Sequence, residues 1–402
     1  MNDQRHISHC AGNFWKIVNV LLVLVCLANG SVVAQKDSVI TLGKKFNLRS
    51  RVLKETREIW ILTPPYYKEN VDRYPVLFVL DAGGHYKHIA ATVEYLSDNL
   101  RIPEMIVVGI PNTDRIRDFT PLHSLEGADG KVYEELFRTS GGGDAFVKFL
   151  KSELIPYLDE HYRTQPFRVI EAHSLAGTIA MHALEQDPQL FQAFIFISPA
   201  IYGKNVATLE KFPAFLKANP TLSSRLFVSI GSEPMLESTF VNFVRYAEAN
   251  KPATMKFESS RYPMDDHGSV AVPAMFDGLR FIYPDWRVNS AREDTLTGDH
   301  YKAHFEKLSG YYGYEILPPQ QLISSQGQYC LELGNMTRAI GFFKMNVANY
   351  PTSSVAYYLL GNTYRQMNEV ELAIGNLDKA LELDPKNTYI SAVLKGLKTQ
   401  KK

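Results

Sequence analysis

Cysteine is scarce in this chain, which excludes a fold held together by several disulfides. The 402 residues include three cysteines, Cys10, Cys26 and Cys330. Removal of the N-terminal segment described below would leave Cys330 without an internal partner. Cys and His residues also lack the clustered spacing of a zinc site. We therefore expect the hydrophobic core to stabilise the fold, and we predict neither a metal nor another cofactor.

The chain also has a formal net charge of zero at pH 7. The 43 Lys and Arg residues balance 43 Asp and Glu residues. A protein that binds nucleic acid usually carries a basic excess, so no nucleic-acid partner is predicted. Hydrophobic residues make up 45% of the chain, which is enough for a large core, and the length allows two domains.

A hydrophobic run long enough for a confident membrane span is also absent. Two basic residues, Arg5 and Lys16, precede the apolar residues 17–28, and small residues lead up to Ala34. This order is typical of a secretory signal peptide at residues 1–34. We expect cleavage after Ala34 and a periplasmic or secreted protein; a retained membrane anchor is the alternative.

The most informative run of residues centres on Ser174. Residues 167–170 are mostly apolar, as in a buried strand, and residues 178–184 have helical spacing. A strand, a tight turn with serine and a helix are typical of the nucleophile elbow of α/β-hydrolases. Ala172 and Ala176 occupy positions where glycine is usual, and alanine tolerates strained backbone less well. A serine that caps an ordinary core helix is the alternative.

Two further residues follow in the order that this chemistry requires. In α/β-hydrolases an acid and then a histidine base come after the serine. Residues 225–230 have the pattern of a strand and Glu233 follows them at a turn, while His267 lies in a polar loop before a helical pattern. We predict Ser174 as nucleophile, Glu233 as the acid and His267 as the base. A solvated surface residue is the alternative for Glu233 or His267 alone, and the shared order of the three residues argues against it.

Backbone N–H groups for an oxyanion hole are predicted at two places. Leu175 directly follows the nucleophile, and the second donor should follow an early strand. Residues 74–80 are nearly all apolar, as in a central parallel strand. Gly83 follows them, and glycine permits close approach of backbone to a ligand. Gly83 is the second predicted donor, with Ala82 or Gly84 as alternatives.

Substrate-binding residues are predicted near these loops. A long irregular segment holds Arg115 and Arg117, and segments of this length are often functional. The two arginines are predicted to bind an anionic substrate group such as a carboxylate, phosphate or catecholate. Ion pairs with Asp114 or Asp118 that order the loop are the alternative. His85, beside the predicted oxyanion loop, is the third predicted substrate-binding residue.

A 34-residue period marks the C-terminal part of the chain. The matched pairs include Gly327 and Gly361, Ala339 and Ala373, Gly341 and Gly375, and Pro351 and Pro385. This period is typical of tetratricopeptide repeats, which are stacked helix–turn–helix units. We predict a helical domain at residues 290–402. It would bind a protein partner or, as the alternative, stabilise the rest of the chain.

With these motifs in place, the chain resembles the putative esterase family of α/β-hydrolases, which includes esterase D-like enzymes, ferric-siderophore esterases and mycolyltransferases. The similarity extends from about residue 39 to residue 283. It is carried by residues 57–65, 76–84, 107–118, 154–163 and 266–269. The resemblance implies an α/β-hydrolase domain at residues 38–286, with a mostly parallel sheet between helices. It also implies the triad Ser174, Glu233 and His267.

These observations predict an exported serine esterase that hydrolyses a carboxylic ester through an acyl-enzyme intermediate. The expected substrate is a small-molecule ester, such as a siderophore or a sugar ester. Two alternatives stay open. The same triad could transfer the acyl group to another acceptor, or a non-catalytic hydrolase-fold scaffold could act through its repeats.

Overall fold

A computed structural model describes residues 41–65, 67–68, 70–127, 129–201, 208–288 and 295–400. The predicted signal peptide and its cleavage site lie outside the described residues. Residues from Leu42 onward form one compact unit, and the description below concerns that unit.

A sheet of eight strands lies at the centre of the described chain. The strands are β1 (Lys44–Ser50), β2 (Glu55–Leu62), β3 (Tyr74–Val79), β4 (Ile106–Gly109), β5 (Thr164–His173), β6 (Ala193–Ile197), β7 (Arg225–Ile230) and β8 (Lys256–Arg261). Their order is β1-β2-β4-β3-β5-β6-β7-β8. Pairing is antiparallel at β1–β2 and β2–β4 and parallel from β4 to β8. The predicted mostly parallel sheet is therefore confirmed.

Helices cover both faces of this sheet. They are Ala82–Asp98, Arg115–Phe119, Glu134–Phe137, Gly143–Phe149, Ile155–His161, Leu175–Gln186, Thr208–Ala218, Pro234–Asn250 and Ala271–Ile282, and a π-helical turn spans Leu150–Leu154. Each face of the sheet has its own hydrophobic core, and alternate residues of β3 contribute to each of them. Leu77 packs in one core and Phe78 packs in the other. This alternation follows from the two-residue period of a strand. Among the described residues, no helix has the length and apolar character needed to cross a bilayer.

The C-terminal part is helical, as predicted from its period. Its helices are Gly298–Tyr312, Gln320–Glu332, Met336–Asn349, Ser354–Gln366, Val370–Leu383 and Thr388–Gln400. The repeat is visible in the packing. A Cβ atom on Gly327 would lie 2.3 Å from the Phe343 ring, and one on Gly361 would lie 3.0 Å from Leu377 Cγ. The second pair follows the first by the 34-residue period.

The helical part and the sheet share one hydrophobic core. The Phe167 ring, on β5, lies 5.3 Å from the Tyr312 ring, and Tyr312 donates a hydrogen bond to the backbone oxygen of Ile282 over 3.1 Å. The Arg225 guanidinium lies 4.0 Å from the centre of the Tyr311 ring. The two predicted domains, 38–286 and 290–402, are therefore joined by packing as well as by the chain.

Candidate active site

Ser174 lies in the turn between β5 and the helix Leu175–Gln186. Its backbone has φ 58° and ψ −125°, a conformation that costs a residue with a Cβ atom about 1–3 kcal/mol. Surrounding backbone holds it there. The Ser174 N–H donates to Ile197 O, and its carbonyl oxygen accepts from the N–H groups of Gly177 and Ala200, each over 2.9 Å. This strained strand-to-helix turn has the geometry of a nucleophile elbow.

The alanines on either side of the serine fit this turn. Ala172 and Ala176 are both fully buried. The close approach that requires glycine occurs one residue later, because a Cβ atom on Gly177 would lie 2.5 Å from Pro199 Cβ. The turn therefore has room for alanine at positions 172 and 176 but not at position 177.

Glu233 and His267 are in direct contact. His267 Nδ1 bonds to one oxygen of the Glu233 carboxylate, and because a carboxylate only accepts, Nδ1 carries the proton. The other oxygen accepts from the Ser198 hydroxyl and from the Gly231 N–H over 3.2 Å. The Glu233 side chain is 9% exposed and that of His267 is 45% exposed. A buried carboxylate therefore orients a more exposed imidazole.

Ser198 is a residue that the sequence reasoning missed. It directly follows β6 and has φ 42°, and its N–H donates to Ser229 O over 2.8 Å. This backbone places its hydroxyl on the carboxylate of Glu233. A serine at the end of a central strand, followed by Pro199, is the signal that could have identified it.

One pocket brings most of the predicted residues together. It has a volume of about 550 Å³ and is lined by Asp81, Gly83, Gly84, His85, Pro111, Asn112, Arg115, His173, Ser174 and His267. Pockets of this volume commonly hold small molecules. The predicted nucleophile and base therefore face the same space as two predicted substrate-binding residues, His85 and Arg115, and the predicted oxyanion donor Gly83.

The predicted oxyanion donors both lie in first helical turns, where backbone N–H groups lack partners inside the helix. Of the three candidates after β3, the Ala82 N–H donates to Ile110 O over 3.4 Å and the Gly84 N–H donates to Asp81 O over 2.9 Å. No backbone acceptor for the Gly83 N–H occurs among the described residues. Gly83 is thus the candidate whose N–H stays available to a ligand, as is that of Leu175.

Arg115 reaches the pocket through a pairing that the sequence reasoning did not predict. Its guanidinium donates twice to the carboxylate of Asp81, at 2.8 Å from Nε and 2.8 Å from a terminal nitrogen. The amide of Asn112 donates to the same carboxylate. Asp114, an expected partner, instead caps the helix Arg115–Phe119 by accepting from the Arg117 N–H over 3.0 Å. The loop after β4 is thereby fastened to the turn after β3.

Arg117 is not brought to the pocket. Its guanidinium contacts Glu55 at 2.8 Å and Asp118 at 2.7 Å, and its hydrogen bond to Glu55 raises the pKa of Arg117. Asp118 is fully buried and also pairs with buried Arg57 at 2.5 Å. Arg117 therefore orders the loop, which is the alternative to its predicted substrate-binding role.

Three further histidines extend from the pocket, and we name His88, His85 and His173 the histidine row. The ring centres are 5.4 Å apart between His88 and His85 and 4.9 Å apart between His85 and His173; the ring of His267 lies 4.7 Å beyond His173. Burial lowers the pKa of His88 and of His173 to about 4, and it also lowers that of His85. The row is therefore uncharged at neutral pH.

The described part of the chain contains no group of three or more His, Cys, Asp or Glu side chains placed to hold a metal ion. Within the histidine row, His85 Nδ1 forms a hydrogen bond with His88 Nε2 over 3.1 Å. His173 is joined to His85 by a ring contact in which the two planes are tilted by 58°.

Two family models match parts of the chain. The family described as "Putative esterase" matches residues 50–265, and the family described as "Tetratricopeptide repeat" matches residues 354–387. A relative named siderophore enterobactin esterase, from Emericella nidulans, is 28% identical over 44% of this chain and 71% of its own length.

Solved structures have the same fold. An IroE-like serine hydrolase from Shewanella oneidensis has a TM-score of 0.69 and 27% identity, over 76% of this chain and 98% of that one. An uncharacterised protein from Capnocytophaga ochracea has a TM-score of 0.57 and 16% identity, over 89% of this chain and 99% of its own. The second likeness shows the fold alone.

Proposed function

The chain belongs to the putative esterase family and is a carboxylic ester hydrolase, and from this premise we propose that Ser174, Glu233 and His267 are its catalytic triad. The observation that carries the proposal is the strained backbone of Ser174 in a pocket that it shares with His267. The contact between His267 Nδ1 and buried Glu233 supports it, because a base needs an orienting acid.

In the proposed reaction, the Ser174 hydroxyl attacks the acyl carbon while His267 Nε2 takes its proton. The Glu233 carboxylate stabilises the imidazolium that forms. The N–H groups of Gly83 and Leu175 donate to the oxyanion of the tetrahedral intermediate. His267 then gives its proton to the leaving alcohol, and the acyl-enzyme remains. Water attacks that acyl group with His267 as base, which releases the acid and restores Ser174.

We propose a small-molecule ester with polar or anionic groups as the substrate, of the siderophore or sugar ester class. Arg115 lines the pocket and its side chain is 35% exposed, although its positive charge is paired with the carboxylate of Asp81. His85 adds an uncharged ring to the same wall. The relative from Emericella nidulans is named as a siderophore esterase, which supports this class.

Two further features are proposals of the same kind. We propose that residues 1–34 are a cleaved signal peptide, which leads to a periplasmic or secreted enzyme; the order of basic, apolar and small residues supports this. We also propose that the repeats bind a protein partner, since stacked helical repeats form extended binding surfaces.

The test is hydrolysis of p-nitrophenyl esters of increasing acyl length by the wild-type protein and by Ser174→Ala. We expect the variant to lose at least about 1,000-fold in kcat, because no other group can form the acyl-enzyme. Ser152→Ala, which changes an exposed serine, is the matched control and should keep wild-type activity. Hydrolysis by Ser174→Ala at the wild-type rate would exclude the triad. Products formed with added acceptor alcohols would reveal acyl transfer.

A further inference from the structure

His173 directly precedes the proposed nucleophile Ser174 in the chain, but its side chain contacts the loop that carries the proposed base, His267. Its Nε2 atom lies 2.7 Å from the backbone oxygen of His267. A carbonyl oxygen can only accept a hydrogen bond, so Nε2 must carry the proton. Since the ring is neutral, Nδ1 carries none. The contact with His267 therefore selects one tautomer of His173.

The surroundings of His173 favour this neutral form. The residue is 8% exposed, and burial together with the adjacent rings of His85 and His267 lowers its pKa to about 4. The hydrogen bond to His267 and the carboxylate of Asp81 raise this pKa, with smaller effects. At neutral pH the side chain is thus an uncharged donor in a fixed orientation.

The ring of His173 also has a second neighbour besides His267. It packs against His85, and His85 in turn bonds to His88 on the helix Ala82–Asp98. That helix begins at the turn that presents Gly83. The histidine row therefore connects the predicted oxyanion turn with the loop of the base.

The loop that carries His267 makes few other hydrogen bonds to the end of the sheet, although the backbone of Asp265 and Asp266 packs against Gly231. Its remaining hydrogen bonds are mostly local, such as those from the Gly268 and Ser269 N–H groups to the Asp266 carboxylate. Asp265 adds one link by accepting from the Ser232 N–H over 2.6 Å. The His267 side chain is 45% exposed, so packing alone does not hold it. Glu233 fixes the ring of His267, and His173 fixes its backbone.

We propose that His173 is a positioning residue that sets the distance of His267 from Ser174 through the hydrogen bond to the His267 carbonyl oxygen. This inference rests on the proposed triad. Small displacements of a catalytic group reduce rates strongly, since about 1 Å can cost on the order of 100-fold.

Two substitutions separate the hydrogen bond from the packing. His173→Phe keeps an aromatic ring between His85 and His267 but removes the donor. His173→Gln removes the ring but supplies an amide N–H at a similar reach. The rate constant for labelling of Ser174 by a fluorophosphonate probe reports on nucleophile and base together, without knowledge of the natural substrate. The melting temperature of each variant is measured alongside.

We expect His173→Phe to label about 10-fold more slowly, with kcat for a p-nitrophenyl ester reduced to match and KM unchanged. His173→Gln should regain most of the lost rate. Labelling of folded His173→Phe at the wild-type rate would overturn the proposal. The proposal would also be overturned if both variants lost the same fraction of the labelling rate and this loss followed the drop in melting temperature. Such a result would indicate a purely structural role for His173.

A nitrogen-15 NMR spectrum of the histidine side chains gives a readout that does not depend on activity. We expect His173 at pH 7 as the neutral tautomer with its proton on Nε2, and the Nδ1–H tautomer would overturn the hydrogen bond. If wild-type protein is not labelled at all, the triad itself is excluded together with any positioning role. The spectrum then still decides whether His173 donates to His267.

Discussion

At the scale of single residues, Glu171 is a buried carboxyl group that the proposed mechanism does not use. It lies on β5 three residues before Ser174 and is fully buried. Neither of its carboxyl oxygens has a hydrogen-bond partner among the described residues. Burial raises the pKa of Glu171 well above its usual value, and the nearby carboxylate of Asp81 raises it further. The folded protein therefore holds this group in its protonated, uncharged form.

This burial predicts that stability falls as the pH rises. The unfolded chain loses the proton of Glu171 near pH 4.5, while the folded chain keeps it to higher pH. Above pH 4.5 the unfolded state therefore binds fewer protons, and the free energy of unfolding decreases with pH. Glu171→Gln, which mimics the protonated acid, should raise the melting temperature at pH 8 by about 2 °C or more. It should have little effect near pH 4.

Thermal unfolding of the wild type and Glu171→Gln between pH 4 and pH 8 checks this. Glu185→Gln is a useful comparison, because burial raises the pKa of Glu185 only to about 7, so its benefit should be smaller. A difference between Glu171→Gln and wild type that does not change with pH would contradict the prediction.

At the scale of elements, the glycines of the repeats fall into two classes. Gly327 and Gly361 lie where helices touch, since a Cβ atom on either would come within 3.0 Å of a neighbouring side chain. A Cβ atom on Gly341 or on Gly375 would have no neighbouring atom within 4 Å. Each class recurs at the 34-residue period, so the repeat preserves both the close contacts and the open positions.

The two classes predict opposite effects of the same substitution. Gly327→Ala should lower the free energy of unfolding by about 1–3 kcal/mol, because the added methyl group overlaps the Phe343 ring. Gly341→Ala should raise it by up to about 1 kcal/mol, because alanine is the better helix former and has room. Urea unfolding followed by circular dichroism measures both, and equal signs for the two variants would disprove this packing.

At the scale of the whole molecule, the shared core predicts that sheet and repeats unfold together. Tyr312 lies where they meet, with its ring against Phe167 and its hydroxyl on Ile282 O. Tyr312→Ala should cost about 3–5 kcal/mol. Two temperatures should then fall together in Tyr312→Ala. One is the temperature at which fluorophosphonate labelling is lost, and the other is the temperature at which the helical circular dichroism signal is lost.

The exposed Tyr329, on the helix Gln320–Glu332, supplies the control. Tyr329→Ala should leave both temperatures nearly unchanged. If Tyr312→Ala melted the helical signal early while labelling persisted, sheet and repeats would be independent units.

Much of the architecture follows from short stretches of sequence. The apolar runs of β3 and β5, the serine turn after β5 and the 34-residue period each depend on neighbouring residues, whose spacing determines strand, turn and helix. For the same reason the order of Ser174, Glu233 and His267 at strand ends already indicates a common site. Parallel strands bring their carboxyl ends to one edge of a sheet.

Only the tertiary structure decided which partners these residues meet. Arg115 pairs with Asp81, 34 residues away in the chain, and Arg117 pairs with Glu55, 62 residues away. His173 donates to His267 across 94 residues. Such contacts depend on how separate loops fold against one another, and no local pattern encodes that. The sequence by itself therefore determined the fold and the order of the proposed triad, while long-range packing determined the hydrogen bonds that hold its members and the core that joins them to the repeats.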